Sequence, residues 1–363
     1  MPFPNTNSTT ASTGPKNVAA WALKPTHRPL VVSSAPYTTP PPGHVVIKVT
    51  DVAVNPIDWI LQDDDLFKLS YPTVFGQDAS GEIVQVADEV PDLSVGARVI
   101  AHCARKPGVD VPSGATGAFQ KYVVVQAGAV AEIPPEIASS TGVVLPLGIS
   151  TASAGLYQKA ALALPFPSVD GKPDPLGRAV VIWGGSSSVG SCAVQLAVAS
   201  GAEVVTTASP RNFEYCKKLG AAAVFDYHDE DVEDKIVKWL EGKTVAGAFH
   251  TVGKDGAVEA CARIVERAEG KAIVVSVKPV DEEVKKRLPK SVRTKSIGAS
   301  SIFSDEVGKH IWKEFLPQAL RSGIVLPKPD PEVVGEELRS VQHGLDTQKR
   351  GVSARKVVVT KIS

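Results

Sequence analysis

The residues whose spacing carries the most chemistry are Gly184, Gly185 and Gly190. They stand in Val180-Val-Ile-Trp-Gly-Gly-Ser-Ser-Ser-Val-Gly190, just ahead of Ser191-Cys-Ala-Val-Gln-Leu-Ala-Val-Ala-Ser-Gly201. An apolar run that reads as a buried strand enters a glycine-serine turn, and the turn opens an amphipathic helix. That layout points backbone N–H groups and the positive end of a helix at one spot, as a phosphate requires. A second strand, Glu203-Val-Val-Thr-Thr-Ala208, ends in Ser209-Pro-Arg-Asn212. A carboxylate at that strand end would bind the ribose 2′-OH of NAD, whereas Arg211 and hydroxyls suit the 2′-phosphate of NADP. The turn is not a strict G-x-G-x-x-G, yet strand, turn, helix and second strand follow in the order that motif demands. The stretch predicts an NADP(H) site.

Such a turn works only inside a parallel sheet, and the surrounding pattern supplies one. Strands are expected at 179–183, 203–207, 222–226, 247–252 and 271–275. Helices are expected between them at 211–219, 231–240 and 255–265. Alternation at this spacing predicts an α/β, doubly wound parallel sheet. A helix with a hydroxyl cap is expected to open at Ile149-Ser-Thr151. The stretch from 18 to about 150 reads differently. Val45–Thr50, Gly81–Val86, Arg98–Ala101 and Gly117–Val125 are short strands between Gly, Pro and Asp clusters, the pattern of a barrel-like antiparallel domain. Lys356-Val-Val-Val-Thr-Lys361 returns to strand character and is expected to pair with that first domain. The Ser-, Thr-, Asn- and Pro-rich residues 1–17 read as a disordered tail.

Composition narrows the function classes. The chain has 363 residues with Lys+Arg and Asp+Glu both at 39, so no basic field points to nucleic acid or an anionic membrane. No apolar stretch approaches the ~18 residues of a membrane span. The N-terminal residues match neither a secretory signal nor a transit peptide. Cys103, Cys192, Cys216 and Cys261 have no C-x-x-C spacing and fit a reduced, cytoplasmic setting.

A β-rich domain, a nucleotide-binding domain and a returning strand together resemble the medium-chain dehydrogenase/reductase superfamily. Local segments agree. Val54-Asn-Pro-Ile-Asp-Trp59 is similar to the V-N-P-x-D segment of its quinone-oxidoreductase branch, and Phe75-Gly-Gln-Asp-Ala-Ser-Gly81 to its G-x-D/E-x-x-G turn. Pro91–Val99 and Leu145–Ala152 resemble two further family segments. Ser209–Phe213, Phe225–His228 and Gly351–Val357 resemble the trans-acting enoyl reductases that assist fungal polyketide synthases. The resemblance implies a GroES-like β-barrel substrate domain over 18–150, completed by about 320–363, and a Rossmann NADP(H)-binding domain over 151–319.

Zinc-dependent members carry Cys near the position of Asn55 and His in a G-H-E segment, where this chain has Gly76-Gln77-Asp78. Between His102 and Phe119 only His102 and Cys103 could bind metal, too few for a site. No metal is expected, and reduction of a conjugated C=C or a quinone becomes the natural chemistry.

By resemblance, Ile57, Asp58, Trp59, Ile60 and the helix start near Thr151 lie around the nicotinamide. Ser186, Ser187, Ser188 and Val189 would hold the phosphates. Ser209, Arg211 and Asn212 would hold the 2′-phosphate, with Tyr227 near the adenine. Ser276 and Val277 would approach the nicotinamide amide, and Ser353 and Ala354 would close over it. Thr151, Tyr71 and Asn55 are the catalytic candidates. Related enoyl reductases often read D-W-K where this chain has Asp58-Trp59-Ile60, so a lysine is missing there. His250 reads as a core histidine at the crevice.

The implied activity is NADPH-dependent reduction of an enoyl thioester. A stand-alone quinone or enone reductase is the alternative, and a non-redox NADP-binding protein is the third reading. A polyketide synthase acyl carrier protein would need a basic groove, for which Lys286, Arg287, Lys290, Arg293 and Lys295 are the candidates. Monomer and homodimer both stay open.

Overall fold

The computed structural model describes residues 14–64, 68–104, 111–112, 114–169, 173, 175–253 and 256–363. Six strands form a parallel sheet in the order Ala223–Asp226, Glu203–Ala208, Arg178–Trp183, Thr244–His250, Ile273–Ser276 and Arg293–Ser296. That is the doubly wound arrangement whose strand order reverses beside the first strand, here between Arg178–Trp183 and Thr244–His250. The inner strands are continuous apolar runs because helices cover both faces. Helices Pro146–Tyr157 and Ser188–Ala199 pack on one face, and Val232–Leu240 and Ala257–Arg267 on the other.

In the N-terminal part, His44–Ala53 is the central strand. It pairs antiparallel with Asp78–Val86, Tyr122–Gln126 and the C-terminal strand Arg355–Thr360. Val358 lies opposite Ala53 and Val359 opposite Val52, so the chain end closes the first domain, as its sequence leads one to expect. A small sheet of Asn17–Ala22, Val31–Ala35 and Thr73–Val74 stands beside it. One apolar core runs through both parts: Ala53, Ile100 and Val358 join Leu145, Ile149, Leu196 and the fully buried Trp312. That shared core fixes the two parts against each other.

Four expectations change. A tail through residue 17 is too long: residues 1–13 lie outside the described part, but Asn17 is buried in a strand and its amide bonds Gln120 and the Pro36 carbonyl. The helix expected from Ile149 with a hydroxyl cap starts at Pro146. Leu145 caps it with no side-chain bond, and the Leu147 N–H is met from another element, by Asp78 Oδ1 at 2.7 Å. A sixth strand, Arg293–Ser296, extends the sheet. Its polar sequence suits an edge and hides it from a search for apolar runs. The helix expected over 211–219 splits into a 3-10 turn, Pro210–Asn212, and a short helix, Phe213–Lys218. The start expected for the third of these helices, Asp255, lies outside the described residues, and the helix runs Ala257–Arg267.

Candidate active site

The glycine-serine turn is packed so tightly that side chains are excluded. A Cβ on Gly190 would sit 2.1 Å from the Gly184 carbonyl oxygen, and one on Gly185 would sit 2.3 Å from Thr206 Oγ1. Gly184 itself has φ of +95°, a region that favours glycine. Ser187 caps the helix Ser188–Ala199 by accepting the Gly190 N–H at 2.9 Å. Its hydroxyl also lies 3.1 Å from Thr251 Oγ1, which in turn reaches the Trp183 and Gly184 carbonyls. Thr251 thus ties the two strands at the reversal point to the turn. The neighbouring Ser188 Oγ is buried with no partner in the described residues. A buried hydroxyl without a partner at a helix N-terminus fits a phosphate oxygen.

The far end of this crevice gathers residues from distant parts of the chain. Ser209 Oγ and Tyr227 Oη are 3.0 Å apart. Asn212 Nδ2 donates to Ser353 Oγ at 3.0 Å and to Ser186 Oγ at 3.4 Å. Strand end, turn and C-terminal segment therefore meet at one amide. Arg211 is exposed beside them. On the neighbouring strand the Asp226 carboxylate is engaged by the His228 N–H and ring. The residues present fit an adenosine 2′-phosphate: hydroxyls, an amide and a guanidinium, with no carboxylate at the second strand end.

The residues expected around the nicotinamide divide. Ser276 Oγ pairs with His250 Nδ1 at 3.1 Å and accepts the Lys278 N–H, so it sits at the end of its strand beside the crevice. His250 Nε2 is buried without a partner, and burial with Lys278 nearby lowers that imidazole to about 4, keeping it neutral. Thr151 Oγ1 donates back to the Leu147 carbonyl within its own helix. Trp59 turns towards the C-terminal helix Val341–Arg350: its indole N–H donates to Gln348 Oε1 at 2.7 Å and Lys349 stands over its ring. Ile57 and Tyr71 pack half-buried against the barrel core, and Ile60 is half-buried. Val189 and Val277 pack against the shared core. Ala354 has φ of +49° in the segment that carries Ser353.

Asn55 and Asp58 belong to a buried polar cluster that the sequence did not announce. Asn55 Nδ2 donates to Asp78 Oδ2 at 2.8 Å, and the Lys356 ammonium reaches both Asp78 Oδ2, at 2.9 Å, and Asn55 Oδ1. Lys356 is 3% exposed and Asp78 fully buried. Asp58 accepts the Asn55 N–H through Oδ2, while its Oδ1 is buried without a partner among the described residues. Burial, with Asp78 nearby, raises its carboxyl to about 7 against the pull of Lys356. Next to it Trp312 Nε1 meets Ser150 Oγ at 3.1 Å, and Ser150 Oγ meets His102 Nδ1 at 2.9 Å. Burial pushes His102 down to about 4 and the Cys103 thiol well up, so both are neutral. The signal for this cluster was a lysine inside the apolar strand Arg355–Thr360. A lysine there demands a buried counter-charge.

Among the described residues two of the five basic-groove candidates are ion-paired. Lys286 pairs with Glu283, and Arg287 with Glu259. Among the described residues no helix is long and apolar enough to cross a membrane, and all four cysteines are buried and unpaired.

Two family models match: the alcohol dehydrogenase GroES-like domain over residues 41–135 and the zinc-binding dehydrogenase over 188–321. The chain is 42% identical to the dehydrogenase pigH of Monascus ruber, over 95% of this chain and all of that protein. It is 40% identical to the trans-enoyl reductase himH of Aspergillus japonicus, over 94% of this chain and 97% of that protein. Among solved structures, the CurK enoyl reductase superposes with a TM-score of 0.72 at 21% identity, covering 95% of this chain and 99% of that one. The matched models and full-length relatives, together with the barrel, the parallel sheet and the returning strand, make this chain an oxidoreductase of the medium-chain dehydrogenase/reductase superfamily, with fungal trans-enoyl reductases among its relatives.

Proposed function

We propose that the chain is an NADPH-dependent, metal-free reductase of conjugated C=C bonds, with an enoyl thioester as substrate. The observation that carries this reading is the Lys356 ammonium held between Asn55 and Asp78. By sequence resemblance, Asn55 stands where zinc-dependent relatives carry a cysteine, and Asp78 directly follows Gln77, which stands where they carry a histidine. A cation is already provided there by the chain itself, which leaves no role for zinc. The zinc-binding name of the matched family model concerns the family.

NADPH, when bound, would supply hydride to the β-carbon of the substrate and leave as NADP+, while the α-carbon would take a proton from a side chain or water. The chain's own work is then to hold the nucleotide, align the alkene and aim donors at the carbonyl oxygen on which negative charge develops. The glycine turn, Ser188 and Asn212 serve the first task. The convergence of Ser209, Arg211, Asn212 and Ser353 supports NADPH over NADH.

One substitution reads out that preference. Arg211→Ala is expected to raise the KM for NADPH about tenfold, the loss of one exposed charge-assisted contact, and to leave the KM for NADH unchanged. Steady-state kinetics with both nucleotides checks it; equal losses for both would remove Arg211 from the 2′-phosphate site. The activity itself is tested by following nicotinamide absorbance with NADPH and crotonyl-CoA. Oxidation that requires the enoyl group supports the reading, whereas tight NADPH binding without oxidation rejects it.

A stand-alone quinone or enone reductase is the second reading, favoured by the ion-paired state of Lys286 and Arg287. A carrier protein approaching that helix would meet Glu282 and Glu283 beside its lysines. Faster turnover of a free enone than of either a CoA or a carrier-bound enoyl thioester would favour this second reading.

A further inference from the structure

We propose that Lys356 is a positioning residue: its ammonium fixes the Asn55 side chain so that one Nδ2 proton is left to donate to the substrate carbonyl oxygen at the domain junction. The proposal rests on the reductase reading given above.

The geometry leaves the amide one orientation. Asn55 Oδ1 faces an ammonium, which can only donate, and Nδ2 faces a carboxylate, which accepts. One Nδ2 proton is taken by Asp78 Oδ2, and the other has no acceptor among the described residues. A cation at the amide oxygen also draws electron density from the nitrogen, which makes the remaining N–H a stronger donor. Asn55 is 3% exposed, so that proton is shielded from bulk water.

The cluster adjoins the crevice through a short physical path. Asp78 Oδ1 accepts the Leu147 N–H at the start of the helix Pro146–Tyr157. The next residue, Gly148, approaches the glycine turn so closely that a Cβ there would lie 3.1 Å from Ser188 Oγ. Lys356 thus holds the first domain, the C-terminal strand and the helix facing the turn at one point. No other group in the cluster can replace it. Asp58, Asp78, His102, Cys103 and Cys192 are the remaining titratable neighbours, and none is a cation in the buried state.

The test uses the full chain with NADPH and crotonyl-CoA. Lys356→Met alone strands the Asp78 charge and can unfold the protein, so the charge-balanced Asp78→Asn/Lys356→Met variant is the working pair. We expect its kcat to fall about 10²-fold, the size of losing one aimed donor, with the NADPH Kd unchanged within about threefold. Adding Asn55→Ala to that pair should cost nothing further, because all three act through one amide. Additive losses, or a paired variant with unchanged kcat, would overturn the proposal. Side-chain amide NMR on ¹⁵N-asparagine-labelled chain separates it from the activity reading. The signal that vanishes in Asn55→Ala should exchange its protons slowly in the parent and much faster in the paired variant. Equal exchange in both would overturn the orientation even if the parent oxidised no NADPH, and faster exchange would uphold it in that same case.

Discussion

Gly190→Ala is expected to weaken NADPH binding about 10²-fold and to lower the melting temperature. The added methyl carbon would lie 2.1 Å from the Gly184 carbonyl oxygen and 2.9 Å from the Gly185 Cα. Both are backbone atoms of the turn, so no side-chain rotation relieves the contact. The first turn of the helix Ser188–Ala199 must lift away from the strand Arg178–Trp183. Overpacking of that kind costs about 1–3 kcal/mol. Lifting also breaks the bond from the Gly190 N–H to Ser187, for about 1 kcal/mol more. Nucleotide binding requires the compact turn, so this strain appears in affinity, where about 3 kcal/mol is on the order of 10²-fold. Isothermal titration with NADPH, alongside a thermal melt, checks it. An affinity within threefold of the parent would show that the turn does not carry the diphosphate. Gly128→Ala is the matching control, since a Cβ there meets nothing within 4 Å.

The same close contacts explain why this part of the fold was legible. A strand buried on both faces must be apolar, a turn that admits no Cβ must be glycine, and a helix N-terminus wants a hydroxyl cap. Ala179 to Trp183, Gly184, Gly190 and Ser187 each meet one of these local demands, and each is visible in one dimension. The helix start at Pro146 was not visible in that way. Its orphan N–H is met by Asp78, on a strand far away in sequence, and no local rule signals a cap supplied by tertiary structure. Arg293–Ser296 was missed for the opposite reason. An exposed edge strand has no need to be apolar, so periodicity carries no trace of it.

At the site, the nucleotide half was more legible than the reacting half. Ser186, Ser209, Asn212, Tyr227 and Ser353 do come together, because short polar side chains at a strand end and its neighbouring turn lie in fixed relation to one another. The reacting half depends on pairs that only the fold creates. Asn55, Asp78 and Lys356 lie on three separate elements, and their chemistry exists only in the triangle. Trp59 shows the limit from the other side. It stands in the expected motif, yet its indole is committed to Gln348 in the C-terminal helix, so it anchors the chain end to the helix Pro56–Asp64.

Asp58→Asn is expected to change the pH dependence of stability more than any surface substitution. The Asp58 carboxyl is held at about 7, up from an ordinary 3.8, because it is fully buried and one of its oxygens has no partner. A raised carboxyl stabilises the fold fully below the unfolded value and loses that contribution as pH rises through about 7. The difference is on the order of 4 kcal/mol between acid and neutral conditions. His102 and His250 act in the opposite sense. Each is buried neutral with its imidazole lowered to about 4, so each weakens the fold as pH falls below the ordinary 6.5. Between about pH 7 and 5 the two histidines together cost roughly 4 kcal/mol, while Asp58 returns roughly 3, so the parent protein should show a shallow profile. Asparagine keeps an oxygen for the Asn55 N–H and removes the charge. In the variant only the histidines remain, and acid sensitivity is unmasked. Urea unfolding across about pH 5 to 8 should therefore give a variant-minus-parent stability that climbs with pH by several kcal/mol. Parallel curves would mean that Asp58 is ionised throughout, with its second oxygen satisfied by a water.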